Sequence, residues 1–139
     1  MSLYVLDTDT LTLFQAGHPR VLQEVGVHPA NDLAITVLSV EEQLSGWYAE
    51  VRRSKKPNQL IMAYARLAKN VRFLSGRQIL DFDQAASYRY EHLQKLKLGV
   101  RKMDLRIASV VLEHNAILVT GNLRDFQKVP NLAIEDWSK

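Results

Sequence analysis

Four carboxylates, Asp7, Glu42, Asp104 and Asp125, stand where they could do chemistry together. Asp7 ends the apolar run Leu3-Tyr4-Val5-Leu6, and Asp9 follows two residues on, with Thr8 and Thr10 interleaved. A short apolar run suits a buried strand, and open α/β sheets place their chemistry at strand ends. An ionised carboxylate beside buried apolar residues is costly unless a cation or hydrogen-bond donors compensate it. Several at one sheet edge repel one another unless a hard cation neutralises them. Mg²⁺ or Mn²⁺ takes a few carboxylate oxygens and keeps its remaining positions for water and phosphate. Such a site suits hydrolysis of a phosphodiester, because the metal acidifies a water, orients the phosphate and offsets charge on the leaving oxygen.

Each acid also has a plainer reading. Asp9 could N-cap a helix beginning near Thr10, whereas Asp7 lies too far back to cap it. Ser39-Val40-Glu41-Glu42 has capping-box spacing, and Asp104 could be a simple N-cap. Four acids at one predicted edge favour the chemical reading over four separate coincidences. Other chemistries find little support. With no cysteine, disulfides, thiolate metal sites and cysteine nucleophiles are excluded. His18, His28, His92 and His114 show no ligand spacing, Ser39, Ser45 and Ser109 lack a nucleophile elbow, and no glycine-rich phosphate loop is present.

The elements that must position the acids follow from periodicity. Strands are predicted near residues 3–6, 33–37, 79–82, 116–120 and 132–134, each an apolar run bounded by turn residues. Between them lie a helix ending at Gly17, one starting at His18-Pro19, and one opened by Ser39 with Glu41 and Glu42 in its first turn. Further helices are expected over 58–68, from the Asp83 cap to near Gly99, and from Asp104 to Asn115. Residues 52–74 give no settled pattern. Strands alternating with helices imply an α/β fold, a three-layer α/β/α arrangement around a mostly parallel sheet. Asp7, Glu42 and Asp125 each follow a strand and Asp104 opens a helix, so all four are expected at the carboxyl edge of that sheet.

The 139 residues, 47% of them hydrophobic, suit a single domain over 1–139 with its own core. No run is long enough to span a membrane, and the first residues enter a strand pattern with no leader, so the expected location is the cytoplasm. The net charge of +3 is compatible with a nucleic-acid partner. Arg101, Lys102, Arg106, Arg124 and Lys128 lie nearest in sequence to Asp104 and Asp125 and are the candidate RNA-phosphate contacts.

With these residues in place, the chain resembles PIN-domain ribonucleases of the VapC toxin type over nearly its whole length. The resemblance is carried by Leu6-Asp7-Thr8-Asp9, by Glu42 with Gly46, by Asp104-Leu105-Arg106-Ile107-Ala108, and by the segment from Leu118-Val119-Thr120 through Asn122, Arg124-Asp125-Phe126 and Val129-Pro130 to Trp137. It implies a PIN-like fold, Mg²⁺-dependent (or Mn²⁺-dependent) endonucleolytic cleavage of RNA, a homodimer, and a small cognate antitoxin that blocks the site. By motif position Asp7, Glu42 and Asp104 inherit the acidic core. Asn122 and Asp125 both suit the fourth place, and Asp125 is favoured as the carboxylate. Thr8, Asp9, Thr120 and Asn122 are expected to support the acids. Two alternatives remain open at this point. Asp7-Thr8-Asp9 also resembles the first motif of haloacid-dehalogenase-type phosphatases, with Asp7 as nucleophile, Asp9 as acid/base and Thr36 in a second motif. An inactive PIN-like module that binds RNA or a partner is the other, and the intact acids argue against it.

Overall fold

The structure, a computed structural model, describes residues 2–139. β1 (Tyr4–Leu6) leads into α1 (Thr8–Gln15) and α2 (Pro19–Gly26), and a 3-10 turn at Ala30–Asp32 delivers β2 (Leu33–Thr36). The long pair α3 (Val37–Arg53) and α4 (Pro57–Ser75) follows, then β3 (Ile79–Leu80), α5 (Gln84–Lys95) and α6 (Lys102–Glu113). β4 (Ile117–Val119), the one-turn α7 (Leu123–Phe126) and β5 (Ala133–Glu135) complete the order. Every neighbouring strand pair is parallel, in the order β3-β2-β1-β4-β5.

The period of two in the strands builds the layers. Val5, Ala34 and Leu118 pack with Leu93 of α5 and Leu105, Ile107, Val110 and Val111 of α6. Their strand neighbours Leu6, Ile35 and Val119 pack in a second core with Leu11, Val21, Leu74 and Trp137. This is the expected three-layer α/β/α arrangement. Full burial of a side chain such as Leu118 or Val119 contributes roughly 1.5–3 kcal/mol, so the sheet is fixed from both faces.

The strand order positions the site. From β1 the chain works outward through β2 to β3, then returns through α5 and α6 to lay β4 on the other side of β1. A reversal of strand order opens a crevice above the carboxyl ends of the two strands it separates. Those ends are tied together here. The Asp7 amide donates to the Val119 carbonyl at 3.0 Å, and the Thr10 hydroxyl donates to the same oxygen at 3.1 Å.

Several boundaries differ from expectation. α1 begins at Thr8 rather than near Thr10, and Asp7 is its N-cap, accepting from the Thr10 amide at 2.8 Å. The reading that Asp7 lies too far back to cap is therefore corrected. Thr8, Thr10 and Thr12 are poor helix formers, and the cap compensates for them. α3 is capped by Thr36, whose hydroxyl accepts from the Ser39 amide at 3.2 Å. Ser39 is thus not the cap, and Glu42 lies in the second turn rather than closing a capping box. α3 takes Arg52 and Arg53 and α4 takes the rest of the unsettled region from Pro57 on to Ser75, while α5 stops at Lys95, ahead of Lys97 at φ 52°. Asn115, at φ 48°, ends α6 as expected. Among the described residues no helix is long and apolar enough to cross a membrane.

Candidate active site

A cleft of about 370 Å³ opens where β1 and β4 end, lined by Asp7, Thr8, Asp9, Glu42, Arg101, Asp104, Ile107, Asn122 and Phe126. At roughly 30 Å³ for each water, it has room for a hydrated cation and a phosphate. Asp7 is brought there by the β1–α1 junction. Its dual role as strand exit and helix cap leaves it 5% exposed. Burial pushes its carboxyl pKa up, and the nearby charge of Asp9 pushes the same way; hydrogen bonds from the Thr120 hydroxyl and from Thr10 offset part of the cost. The ionised form thus lacks full compensation within the chain, and a cation in the cleft would supply the remainder.

Glu42 reaches the cleft from the second turn of α3. The Thr8 hydroxyl donates to its Oε1 at 2.5 Å and sits 2.9 Å from Ser39 Oγ, so Thr8 fixes the carboxylate from the opposite wall. Asp104 occupies the third position of α6, where backbone amides and the helix dipole favour negative charge. Its buried carboxylate is gripped on both oxygens by Arg101, whose Nε and Nη2 donate to Oδ2 and Oδ1 at 3.1 and 3.0 Å. The same Nη2 lies 3.7 Å from Glu42. These contacts, those with Asp104 foremost, hold the Arg101 pKa above its ordinary value.

The fourth expected acid is placed differently. Asp125 is not on the cleft wall; Asn122 is. The Asn122 side-chain amide donates to Asp125 Oδ2 at 3.1 Å, and Lys128 lies 3.6 Å from Asp125 Oδ1. The Asn122 hydrogen bond, with Lys128 and Arg124 nearby, draws the Asp125 pKa down. The expectation that all four acids converge is therefore corrected to three acids plus Asn122. The reason is that the buried Phe126 fixes the face that the single turn of α7 turns inward. Thr120, fully buried, supports from below by accepting the Asn122 amide at 2.9 Å and bonding to Asp7. Of the candidate phosphate contacts only Arg101 enters the cleft. Arg106 stacks over Tyr90 at 5.2 Å, Lys128 pairs with Asp125, and Lys102 and Arg124 are exposed.

The donor set is carboxylate, amide and hydroxyl oxygen, with no histidine on the wall, which suits a hard cation of the Mg²⁺ or Mn²⁺ kind. Among the described residues no three acidic or histidine side chains converge closely enough to ligate one ion unaided. Mg²⁺ needs no such trio, since it commonly binds through one or two carboxylates and keeps waters and substrate phosphate.

No protein-family model matches the chain. Over 99% of its length, and 99% of the relative's, it is 31% identical to "Ribonuclease VapC2" of Rickettsia felis. The chain belongs to the VapC ribonuclease family. A second VapC relative, "tRNA(fMet)-specific endonuclease VapC" of Salmonella typhimurium, is 27% identical over 99% of both chains. In the crystal structure of VapBC2 from Rickettsia felis bound to a DNA fragment from their promoter, one chain matches at a TM-score of 0.71 and 29% identity, covering 97% of this chain and 98% of that one. VapC membership makes this fold the PIN-domain fold and displaces the haloacid-dehalogenase alternative. Its proposed second-motif residue, Thr36, is buried and spends its hydroxyl on the α3 cap.

Two features escaped sequence reasoning. Arg101, expected only as an RNA-phosphate contact, instead sits in the cleft and pairs with Asp104; its position three residues before Asp104, across a helix start, is the available signal. Ser39 was assigned a cap but faces Thr8. Thr36, one hydroxyl residue earlier at the end of the same strand, is an equally good cap by type.

Proposed function

We propose that this VapC-family chain is a metal-dependent endoribonuclease that hydrolyses RNA phosphodiester bonds in the cleft above β1 and β4. The observation that carries the reading is the placement of Asp7, Glu42 and Asp104 on one cleft wall at the reversal of strand order, with no histidine among its lining residues. Mg²⁺ or Mn²⁺, when bound, supplies Lewis acidity that activates a water and offsets charge on the phosphate. Asp7 and Asp104 are the buried carboxylates that would hold the ion, Glu42 would reach it from α3 directly or through a metal-bound water, and Thr8 holds Glu42 in place. Asp125 joins them through Asn122. Asp9 adds negative charge at the mouth, which raises the cleft's affinity for cations and leaves RNA approach to the basic residues around it. Lys102, Arg124 and Lys128, with Arg101 and Arg106, supply that approach.

The proposal extends to partners. An acid-lined cleft is complementary to an Arg or Lys brought by another protein, which fits a cognate antitoxin, and the family resemblance adds a homodimer acting in the cytoplasm. The test is cleavage of RNA against release of phosphate from a small monoester, with and without EDTA. RNA cleavage that EDTA abolishes, with no monoester turnover, is expected. Monoester turnover without RNA cleavage would overturn the reading. Expression without an antitoxin is expected to arrest growth, and Asp7→Asn is expected to relieve the arrest.

A further inference from the structure

Arg101 is the one basic side chain on the wall of the acidic cleft among the described residues. Its guanidinium spans both oxygens of Asp104 and approaches Glu42, so it stands on the carboxylates assigned above to a divalent cation. We propose that Arg101 is a displaceable internal cation: its guanidinium holds Asp104 until a divalent ion binds there, and on release it becomes a phosphate contact at the cleft mouth. This deepens the metal-dependent nuclease reading and rests on it.

The argument is one of asymmetry. The Asp104 side chain is 8% exposed and that of Arg101 is 66% exposed. A buried carboxylate that loses its only cation is left with an uncompensated charge, so Asp104 gives up Arg101 only when another cation replaces it. Arg101 loses far less, because most of its side chain is already in water and can swing outward on its own rotamers. A fork that occupies both carboxylate oxygens also competes directly with a metal for the same lone pairs. The two cations are therefore alternatives on Asp104. Release leaves a planar guanidinium beside the acids, the group best shaped to clasp a phosphate. The other nearby cations have no such position. Lys128 is paired with Asp125 outside the cleft, and Arg106 lies against Tyr90.

Mn²⁺ titration calorimetry on the full chain and on Arg101→Ala and Arg101→Lys tests this, with thermal melting to confirm that the variants fold. Removing the competitor is expected to tighten Mn²⁺ binding of Arg101→Ala by about 3- to 30-fold, the range between an exposed ion pair and a half-buried forked one. Arg101→Lys, which keeps charge but loses the fork, is expected to fall between. The Nε–H resonance of Arg101, identified by its loss in Arg101→Lys, is expected to shift as Mg²⁺ is added to the wild-type chain. A side chain with a merely structural role would leave Mn²⁺ affinity unchanged or weaken it. Unchanged or weaker binding in Arg101→Ala, or a resonance unmoved at saturating Mg²⁺, overturns the inference while leaving the metal site standing. Absence of metal binding in both wild type and Arg101→Ala overturns the metal site and the inference with it.

Discussion

Asp7 is asked to do two things that oppose each other energetically, and substitution separates them. As the N-cap of α1 it accepts from the Thr10 amide, an interaction whose loss on replacement by alanine costs about 1 kcal/mol. As a buried carboxylate with a raised pKa it disfavours the folded state once ionised. Asn retains the cap and removes the charge, whereas Ala removes both. In EDTA, Asp7→Asn is therefore expected to melt above Asp7→Ala by about 3 °C, taking 2–4 °C per kcal/mol for a chain of this size. The charge appears in the pH dependence instead. A carboxyl whose folded pKa lies above its unfolded value binds more protons in the folded state between the two. Wild-type stability relative to Asp7→Asn is thus highest below the unfolded value and is lost as pH rises through the folded one. Melting curves from pH 4 to 7 are expected to show Asp7→Asn gaining on wild type with pH. Mn²⁺ at 100 times its dissociation constant should then stabilise the wild type alone, by about 2.7 kcal/mol. Coincident Asn and Ala curves would refute the cap, and a flat difference between wild type and Asn would refute the uncompensated charge.

Thr8→Val removes the hydroxyl that fixes Glu42 and is expected to lower metal affinity or RNA cleavage by about 10- to 100-fold with little change in melting temperature, checked by calorimetry and a cleavage assay. Asn122→Ala is expected to reduce cleavage more than Asp125→Asn, because Asn122 lines the cleft and Asp125 acts through it; the reverse order would return Asp125 to the site itself. Neutralising Lys102, Arg124 and Lys128 together in an Asp7→Asn background is expected to flatten the salt dependence of RNA binding. The slope should fall by up to about 2 units, at roughly 0.7 for each single-stranded phosphate contact. An unchanged slope would move the RNA path to the basic residues Arg52–Lys56.

Much of this arrangement was legible because it is written in residue type and period. The alternation of Val5 with Leu6 and of Leu118 with Val119 gives strands buried on both faces, and those faces fill the two observed cores. Asn115 at the end of α6 is a local signal that read correctly, whereas α6 starts at Lys102, two residues before Asp104, with Arg101 and not Asp104 at the N-cap position. Where neighbouring residues offer the same chemistry, local reading is degenerate. Thr36 and Ser39 both carry a capping hydroxyl, and only the buried contact of Ser39 with Thr8, 31 positions away in sequence, separates them. The threonine-rich start of α1 hides its first turn, because β-branched residues suit a strand as well. Asn122 and Asp125 differ in which side of one helical turn faces the cleft, a matter decided by the burial of Phe126. Arg101 was legible as a cation near Asp104, but its reach across to Glu42 is set by the tertiary fold that brings α3 against α6.

The most direct test of the account is the chemistry of the RNA ends left by cleavage. The cleft is lined by Asp7, Asp9, Glu42 and Asp104 and by no histidine, so attack by an activated water is expected to leave a linear phosphate on one end and a hydroxyl on the other. Those products should require Mg²⁺ or Mn²⁺ and disappear with EDTA and in Asp104→Asn. Ends bearing 2′,3′-cyclic phosphate that persist in EDTA and in Asp104→Asn would mean that the ribose hydroxyl, not water, is the nucleophile, and would contradict the assignment of these acids to a metal-dependent hydrolytic site.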